Sequence, residues 1–523
     1  MSRNSLYLFS AGLLCAGLSA QNQQFVPTSS LNASNLANIP SSGRTTTAAG
    51  DLDGDGDYDL VMGLDPAPPT GPSIRILRNG VPAPATGVSE AYGTFSNFSP
   101  PSITRRDRIY DIKVFDADGD GDEDILYVTD TVVNAPLLTQ VALLRQTSPD
   151  VFSSPQYVFA TQLAIPITCE IVDMNGDGRM DVVVGMVPST VSPAQGVAVL
   201  TNGPFGFSSQ ILGAAYSGMS VSSLAVDDID GDGDLDIVAG CVASSASGFN
   251  RQNVLYRNNG NGSFTVTTAG MPVNAFDTND ILLVDVFGSS LPELVVADTL
   301  TGKSVHSNLG GSFGGAFATF GGGGGLGSAG DIDLDGDMDL VFGNQTANTQ
   351  VLVNNNGILT DTPIRVTADG ACRSSLLVDM DRDNDLDIVQ GLSFGAASGV
   401  RAQVNLHRQI DLPTSALIGS TIAHDWYDRP GYGNGHVPTA YFSPAAQTPR
   451  FEIAPFGFVG VDLAQAIVIN LATSSSGKNS VALPIPNDPN LVGQTWFWQW
   501  LIMPNASPQA DWGLSNVVPI TFL

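Results

Sequence analysis

The densest chemistry in this sequence is carboxylate chemistry. Asp228-Ile-Asp-Gly-Asp-Gly-Asp-Leu-Asp236 puts acids at positions 1, 3, 5, 7 and 9 of nine residues, with glycine at 4 and 6. Two carboxylates about 5 Å apart repel by roughly 3 kcal/mol at an effective dielectric near 20. A hard divalent cation removes that cost, and Ca²⁺ takes six to eight oxygens from a flexible loop. Alternate residues aim their oxygens at one centre, and the glycine at position 6 supplies the sharp turn. The stretch therefore reads as a calcium cradle between two strands.

The frame recurs, with starts at Asp51, Asp116, Asp173, Asp228, Asp331 and Asp379 and a worn copy at Asp285. Candidate metal residues are Asp51, Asp53, Asp55, Asp57 and Asp59 in the first copy and Asp116, Asp118, Asp120, Asp122 and Asp124 in the second. The third offers Asp173, Asn175, Asp177, Arg179 (through its main chain) and Asp181, and the fourth Asp228, Asp230, Asp232, Asp234 and Asp236. The sixth offers Asp331, Asp333, Asp335, Asp337 and Asp339, and the seventh Asp379, Asp381, Asp383, Asp385 and Asp387. About six Ca²⁺ sites follow. The fifth copy, Asp285-Val-Phe-Gly-Ser-Ser-Leu-Pro-Glu293, keeps acids only at positions 1 and 9 and is expected to hold no metal.

The elements that must position these loops are short. Successive starts lie 65, 57, 55, 57, 46 and 48 residues apart, the mark of a repeat architecture. An apolar segment leads into each loop, as in Ile112-Lys-Val-Phe115, and an apolar run ending at glycine leaves it, as in Val182-Val-Val-Gly185. These runs are too short for helices and rich in β-branched residues, so they read as buried strands. A linker rich in Pro, Gly and Ser follows, then a third strand closing on an Asn-Gly turn (Ile76-Leu-Arg-Asn-Gly80) and a fourth strand. Four antiparallel strands in each of seven copies predict an all-β chain with a seven-bladed β-propeller over 21–412. A strand near Phe25 and the last run at Val404-Asn-Leu-His407 can share a blade, which removes an exposed sheet edge. The glycine run Gly321–Gly325 reads as a mobile connection.

The repeat stops near Leu412, and all five tryptophans lie beyond it. Residues 413–523 are expected to form a small β-sandwich. Trp496, Trp498 and Trp500 alternate and would share a strand face, with core packing as their first role and sugar stacking as the sharper alternative.

Frame and flanks together resemble the FG-GAP/VCBS repeat family, which includes the seven-bladed head of integrin α subunits. The resemblance rests on Asp-x-Asp-Gly-Asp-Gly-x-x-Asp, its apolar strand and Leu255-Tyr-Arg-Asn-Asn-Gly-Asn-Gly-Ser-Phe264, and covers roughly residues 21–410. It implies a propeller in which side chains at positions 1, 3, 5 and 9 and the carbonyl at 7 hold Ca²⁺. Arg179 at position 7 agrees with a main-chain role there. The sixth copy departs at Leu334, and the seventh at Arg382 and Asn384. The C-terminal region looks like a β domain found behind such propellers in secreted bacterial proteins.

Charge and composition narrow the function. The formal charge is −30, and 29 of the 51 acids lie in the six intact loops, so the charge marks metal sites rather than a general field. Such a chain is a poor partner for nucleic acid. Arg3, the apolar run Leu6 to Leu18 and Leu18-Ser-Ala20 read as a signal peptide over 1–20. No stretch reaches the length of a membrane span, so a secreted or cell-surface protein is expected. Cys169, Cys241 and Cys372 are spaced for neither zinc nor disulfides and read as buried small hydrophobes. Gly391-Leu-Ser-Phe-Gly395 matches a nucleophile elbow by chance, lacking the strand-turn-helix it needs. His424 beside Asp425 makes no dyad on a strand, where neighbours point to opposite faces.

These observations favour a calcium-binding adhesion module for protein or glycan ligands, with the variable linkers 64–73, 129–140, 186–196 and 241–252 as the contact face. No catalysis is expected. An enzyme such as a polysaccharide lyase would need clustered basic groups, and the 21 Lys and Arg are scattered. A purely structural surface protein is the remaining alternative.

Overall fold

A computed structural model describes the chain from Val26 to Leu523 except residues 28–43, 55–57, 66–72, 80–95, 99–107, 131–138, 162–163, 189–194, 216–218, 244–250, 275, 301, 323, 333–335, 345–348, 362–371, 381–385, 393–398, 406–409, 412–414, 429–435, 454–456, 471–476, 505–512 and 515–517. The signal-peptide residues and most of the four variable linkers lie outside the described residues. The described chain is all-β, with a single three-residue 3-10 turn at Pro489–Leu491. None of its helices is long and apolar enough to cross a membrane. The chain divides into two compact units, one over Phe25–Thr362 with Val366–Arg408, the other including Gln409–Leu523.

The first unit is built from seven four-stranded antiparallel sheets, one per sequence copy. In the fourth copy the strands are Ser220–Asp227, Asp236–Val242, Val254–Asn258 and Phe264–Thr267, paired in chain order. The acidic loop spans the first and second strands, and the Asn-Gly turn spans the third and fourth. The seventh sheet departs from chain order, because its outer strand is Val26–Pro27 from the start of the unit, with Val26 opposite Val404. The shared sheet foreseen from the sequence is therefore present.

Second strands are buried on both faces, which is why they read as unbroken apolar runs: Asp181–Pro188 and Asp387–Leu392 each begin with six buried residues. First strands of successive sheets lie side by side, and Cys372–Val378 of the seventh copy lies beside Arg44–Gly50 of the first. Hydrogen bonds tie those two copies. Thr45 Oγ1 donates to the Leu392 carbonyl (3.3 Å), and Asn79 Nδ2 donates to that of Met380 (2.7 Å). Apolar clusters fill the spaces between neighbouring sheets, as where Leu126, Val128 and Leu143 of the second meet Val182, Val184 and Leu200 of the third. Cys169, Cys241 and Cys372 are buried in this apolar interior.

In the second unit, Thr495–Pro504 pairs with His436–Ser443 and Val518–Phe522 in a six-stranded sheet, and Thr421–Asp428 pairs with Gly477–Pro484 in a three-stranded one. Trp498 is buried edge-on against Phe442 (4.0 Å), and Trp496 packs against the same apolar cluster. Core packing is thus the role of these two. The side chains of Trp426 and Trp500, and all of Trp512, lie outside the described residues.

The end of the glycine run is packed. Gly324 and Gly325 are buried, and a Cβ on either would stand 2.4 Å from a backbone oxygen, of Asp298 and Gly343 respectively. Asn279 Nδ2 also donates to the Gly324 carbonyl (2.7 Å). At these two positions glycine is needed for close backbone packing, Gly324 against the fifth copy and Gly325 within the sixth, while Gly321 and Gly322 are exposed. Gly325→Ala should cost about 1–3 kcal/mol by forced overpacking. Gly321→Ala, with nothing within 4 Å of the new methyl, should stay within about 0.5 kcal/mol. Urea unfolding of the two variants separates packing from mobility, and equal effects would contradict the packing account.

Candidate metal centres

The loop frame is set by its two end acids. Position 1 folds back onto the loop's own amides: Asp116 accepts from Gly119 N–H (2.7 Å) and Gly121 N–H (2.9 Å), and Asp228 from Gly231 (2.8 Å) and Gly233 (2.9 Å). Glycines at positions 4 and 6 take positive φ, 77° and 92° for Gly231 and Gly233, which a side chain at either position would strain. Position 9 starts the second strand and is fully buried in all six acidic loops. Asp124 accepts from Ala117 N–H at position 2 (3.1 Å) and from Gln146 N–H at the end of the third strand (2.7 Å). Asp181 and Asp387 repeat the pattern with Met174 and Asn202, and with Met380 and Asn405. The residue at position 2 (Leu52, Ala117, Met174, Ile229, Ile332, Met380) is buried in each and anchors the loop to the core.

Positions 3 and 5 complete the cradle. In the second and fourth loops, oxygens of Asp116, Asp118 and Asp120, and of Asp228, Asp230 and Asp232, lie within 4.8 Å of one another. Asp230 Oδ1 is buried without a hydrogen-bond partner, an acceptor that a cation would satisfy. An all-oxygen set of this kind fits Ca²⁺. The third loop keeps the frame, with Asp173 accepting from Asp177 N–H (3.1 Å) and Gly178 N–H (2.7 Å), and Asn175 Oδ1 from Asp177 N–H (2.9 Å). In the first loop Asp55 and Asp57 lie outside the described residues, as do Asp333 and Asp335 in the sixth and Asp381, Asp383 and Asp385 in the seventh. Their described partners, Asp51, Asp53, Asp59, Asp331, Asp337, Asp339, Asp379 and Asp387, occupy the frame positions.

In the second and fourth loops the main-chain N–H of position 7 caps the position-5 carboxylate. Asp122 N–H donates to Asp120 Oδ1 and Asp234 N–H to Asp232 Oδ1, both at 3.0 Å. The Arg179 side chain turns away from its own position, donating to the Asn202 carbonyl (2.9 Å) and to Asp177 (2.5 Å).

Arginines on the third strand were not singled out in the sequence. Arg78 pairs with Asp53, Arg145 with Asp118, and Arg257 with Asp230 (3.1 Å), each meeting the position-3 carboxylate of its own loop. The recurring Arg-Asn and Arg-Gln pairs at the strand end were the available signal. Each guanidinium holds one carboxylate oxygen and offsets part of the loop's self-repulsion.

The fifth copy is an internal control. Asp285 accepts from Ser289 N–H (2.7 Å) and Ser290 N–H (3.0 Å), Glu293 Oε2 accepts from Val286 N–H (2.9 Å), and Gly288 and Ser290 take φ of 66° and 71°. The turn therefore forms from the end acids alone. Acids at 3 and 5 are not needed to build the loop, and where they occur they add like charge that only a cation or guanidinium offsets. Here position 3 is Phe287, stacked on Phe317 at 4.8 Å.

The FG-GAP-like repeat model matches residues 173–239 and 331–389, spanning the third and fourth loops and the sixth and seventh. The chain carries FG-GAP-like repeats. A comparison with curated proteins finds no match. The matched segments begin at position 1 of a loop and end in a second strand, so the FG-GAP-like signal coincides with the acidic frame and the sheets that hold it.

Burial pushes the position-9 acids up, Asp59 to about 7 and Asp124 and Asp236 to about 6, although backbone N–H donors pull the other way. With folded values above the ordinary carboxylate value, the native state binds more protons than the unfolded chain between about pH 4 and 7. In chelator, stability should therefore fall as pH rises through that window and level off above it. Thermal midpoints between pH 5 and 8 with and without chelator test this, and a midpoint rising with pH in chelator contradicts it.

Proposed function

We propose that the protein is an exported, calcium-stabilised seven-bladed β-propeller with a C-terminal β-sandwich, acting as a binding or adhesion module for protein or glycan ligands. The observation that carries the calcium reading is the contrast between loops. The fifth forms its turn with acids at positions 1 and 9 only, yet the second and fourth add carboxylates at 3 and 5 whose oxygens converge within 4.8 Å. Bound calcium would supply charge neutralisation and rigidity to those loops. At a free concentration 100-fold above Kd, each ion adds about 2.7 kcal/mol to folding.

Seven four-stranded sheets packed in sequence, with the seventh tied to the first, support the propeller reading. FG-GAP-like repeats are typical of binding modules, which favours recognition over chemistry. The arginines point the same way. Arg78, Arg145, Arg179 and Arg257 are engaged by loop aspartates rather than gathered in a pocket, as a polysaccharide lyase would need. The leader-like stretch ending at Leu18-Ser-Ala20 supports export, and loops of this exposure suit extracellular calcium levels.

Calcium titration of the mature protein should find about six ions and a higher melting temperature than in chelator. Asp118→Ala with Asp120→Ala should remove one ion, while Ser289→Ala in the fifth loop should remove none. Retention on a panel of polysaccharides and bacterial cell surfaces, lost on chelation, would support the binding role. Absence of retention in either condition would overturn its glycan and cell-surface forms.

A further inference from the structure

We infer that the amide side chains of Asn79, Gln146, Asn202 and Asn405, near the ends of their third strands, are positioning residues for the calcium loop of the preceding repeat, and that Asn308, in the acid-poor fifth repeat, does this for the loop of the fourth. The inference rests on reading the acidic loops as calcium sites.

The geometry repeats at six junctions. Gln146 Nε2 donates to the Leu52 carbonyl (3.0 Å), and the Nδ2 groups of Asn202, Asn308, Asn354 and Asn405 donate to the carbonyls of Ala117, Ile229, Val286 and Ile332 (2.8 Å each). Asn79 completes the series on Met380 (2.7 Å). Every acceptor is the position-2 carbonyl of the neighbouring repeat's loop. At the remaining junction Asn258 keeps the bond to its own repeat, on the Leu235 carbonyl (3.2 Å), which Asn202, Asn308, Asn354 and Asn405 also make on the equivalent carbonyls of their own loops.

The target explains the consequence. Position 2 lies between the carboxylates at 1 and 3, and its side chain is buried. A hydrogen bond to its carbonyl fixes the peptide plane from which Asp230 projects. The same amide residue is tied to its own loop, since Gln146, Asn202, Asn354 and Asn405 each donate the main-chain N–H to the buried position-9 acid (2.7 Å). Each amide therefore couples two adjacent loops. Outer-shell partners that orient ligands typically change metal affinity by about 10- to 100-fold.

Asn308 isolates the effect. Its own loop lacks acids at positions 3, 5 and 7, so a change in calcium binding caused by Asn308 must pass to the neighbouring repeat. Besides Ile229, it donates to the Pro292 carbonyl (3.0 Å) and accepts from Gly310 N–H (3.0 Å) and Gly311 N–H (3.1 Å).

The test uses the full mature chain with Asn308→Ala, and Asn308→Asp as a variant of equal size that puts an acceptor against the carbonyl. Calorimetric titration with Ca²⁺ should show one ion bound about tenfold more weakly and the others unchanged. In an Asp230→Ala, Asp232→Ala background, Asn308→Ala should cause no further change. Hydrogen exchange in chelator should show faster exchange at Gly231, Asp232 and Gly233, with Gly119 and Gly121 of the second loop unaffected. Weakening spread over all ions, or persisting in the double-alanine background, would mean a general loss of stability and overturn the proposal. So would unchanged affinity together with unchanged fourth-loop exchange. If the unmutated protein binds no calcium, the calcium reading fails, and the exchange result alone decides whether Asn308 positions the loop.

Discussion

Taking a carboxylate out of water costs several kcal/mol unless donors meet its oxygens. Each repeat of the first unit accepts that cost at position 9 of its loop. In most repeats the donors come from two places, position 2 of the loop and the end of the third strand. A single buried group thus fixes the loop's return, its distance from the core and the register of the third strand. Satisfied on both oxygens, it makes the connection rigid, and the seven sheets share one local geometry despite divergent linkers. Glu293 performs the same task with one more methylene, so charge and reach matter more than the identity of the acid.

Around that frame the remaining acids have a different standing. In the second and fourth loops the carboxylates at positions 3 and 5 share one volume with position 1, and the fifth loop shows that the turn forms without them. Their mutual repulsion is offset in part by arginines in the first, second and fourth repeats and by Arg179 in the third. In the sixth and seventh repeats Val353 and Val404 stand where the first, second and fourth carry arginine. The loops are one frame carrying different complements of charge, not seven equal sites.

Packing between repeats follows a similar economy. Apolar side chains from facing sheets fill the space, and amide side chains at one end reach across to the neighbouring loop. Asn79 and Thr45 extend those contacts from the first repeat to the seventh, and Val26 completes the seventh sheet. Such bonds span up to 347 positions in sequence, so each is formed only once the whole unit has assembled.

The sequence by itself determined the repeat number, the strand pattern and the loop frame. Local rules suffice for these: alternating acids with glycines at 4 and 6 permit one kind of turn, and β-branched runs of four to eight residues make strands. It also marked the fifth loop as different, because missing carboxylates are visible in composition. Only the tertiary structure showed that the acids at positions 1 and 9 close the loop on its backbone amides, since all are aspartate and only their hydrogen-bond partners tell them apart. The close approaches of Gly324 to Asp298 and of Gly325 to Gly343, at the end of the glycine run, likewise cannot be seen along the chain. The amides ending the third strands read as turn residues until their partners, one repeat away, were in place. Non-local contact decides those roles, and a linear pattern carries no distance across a sheet.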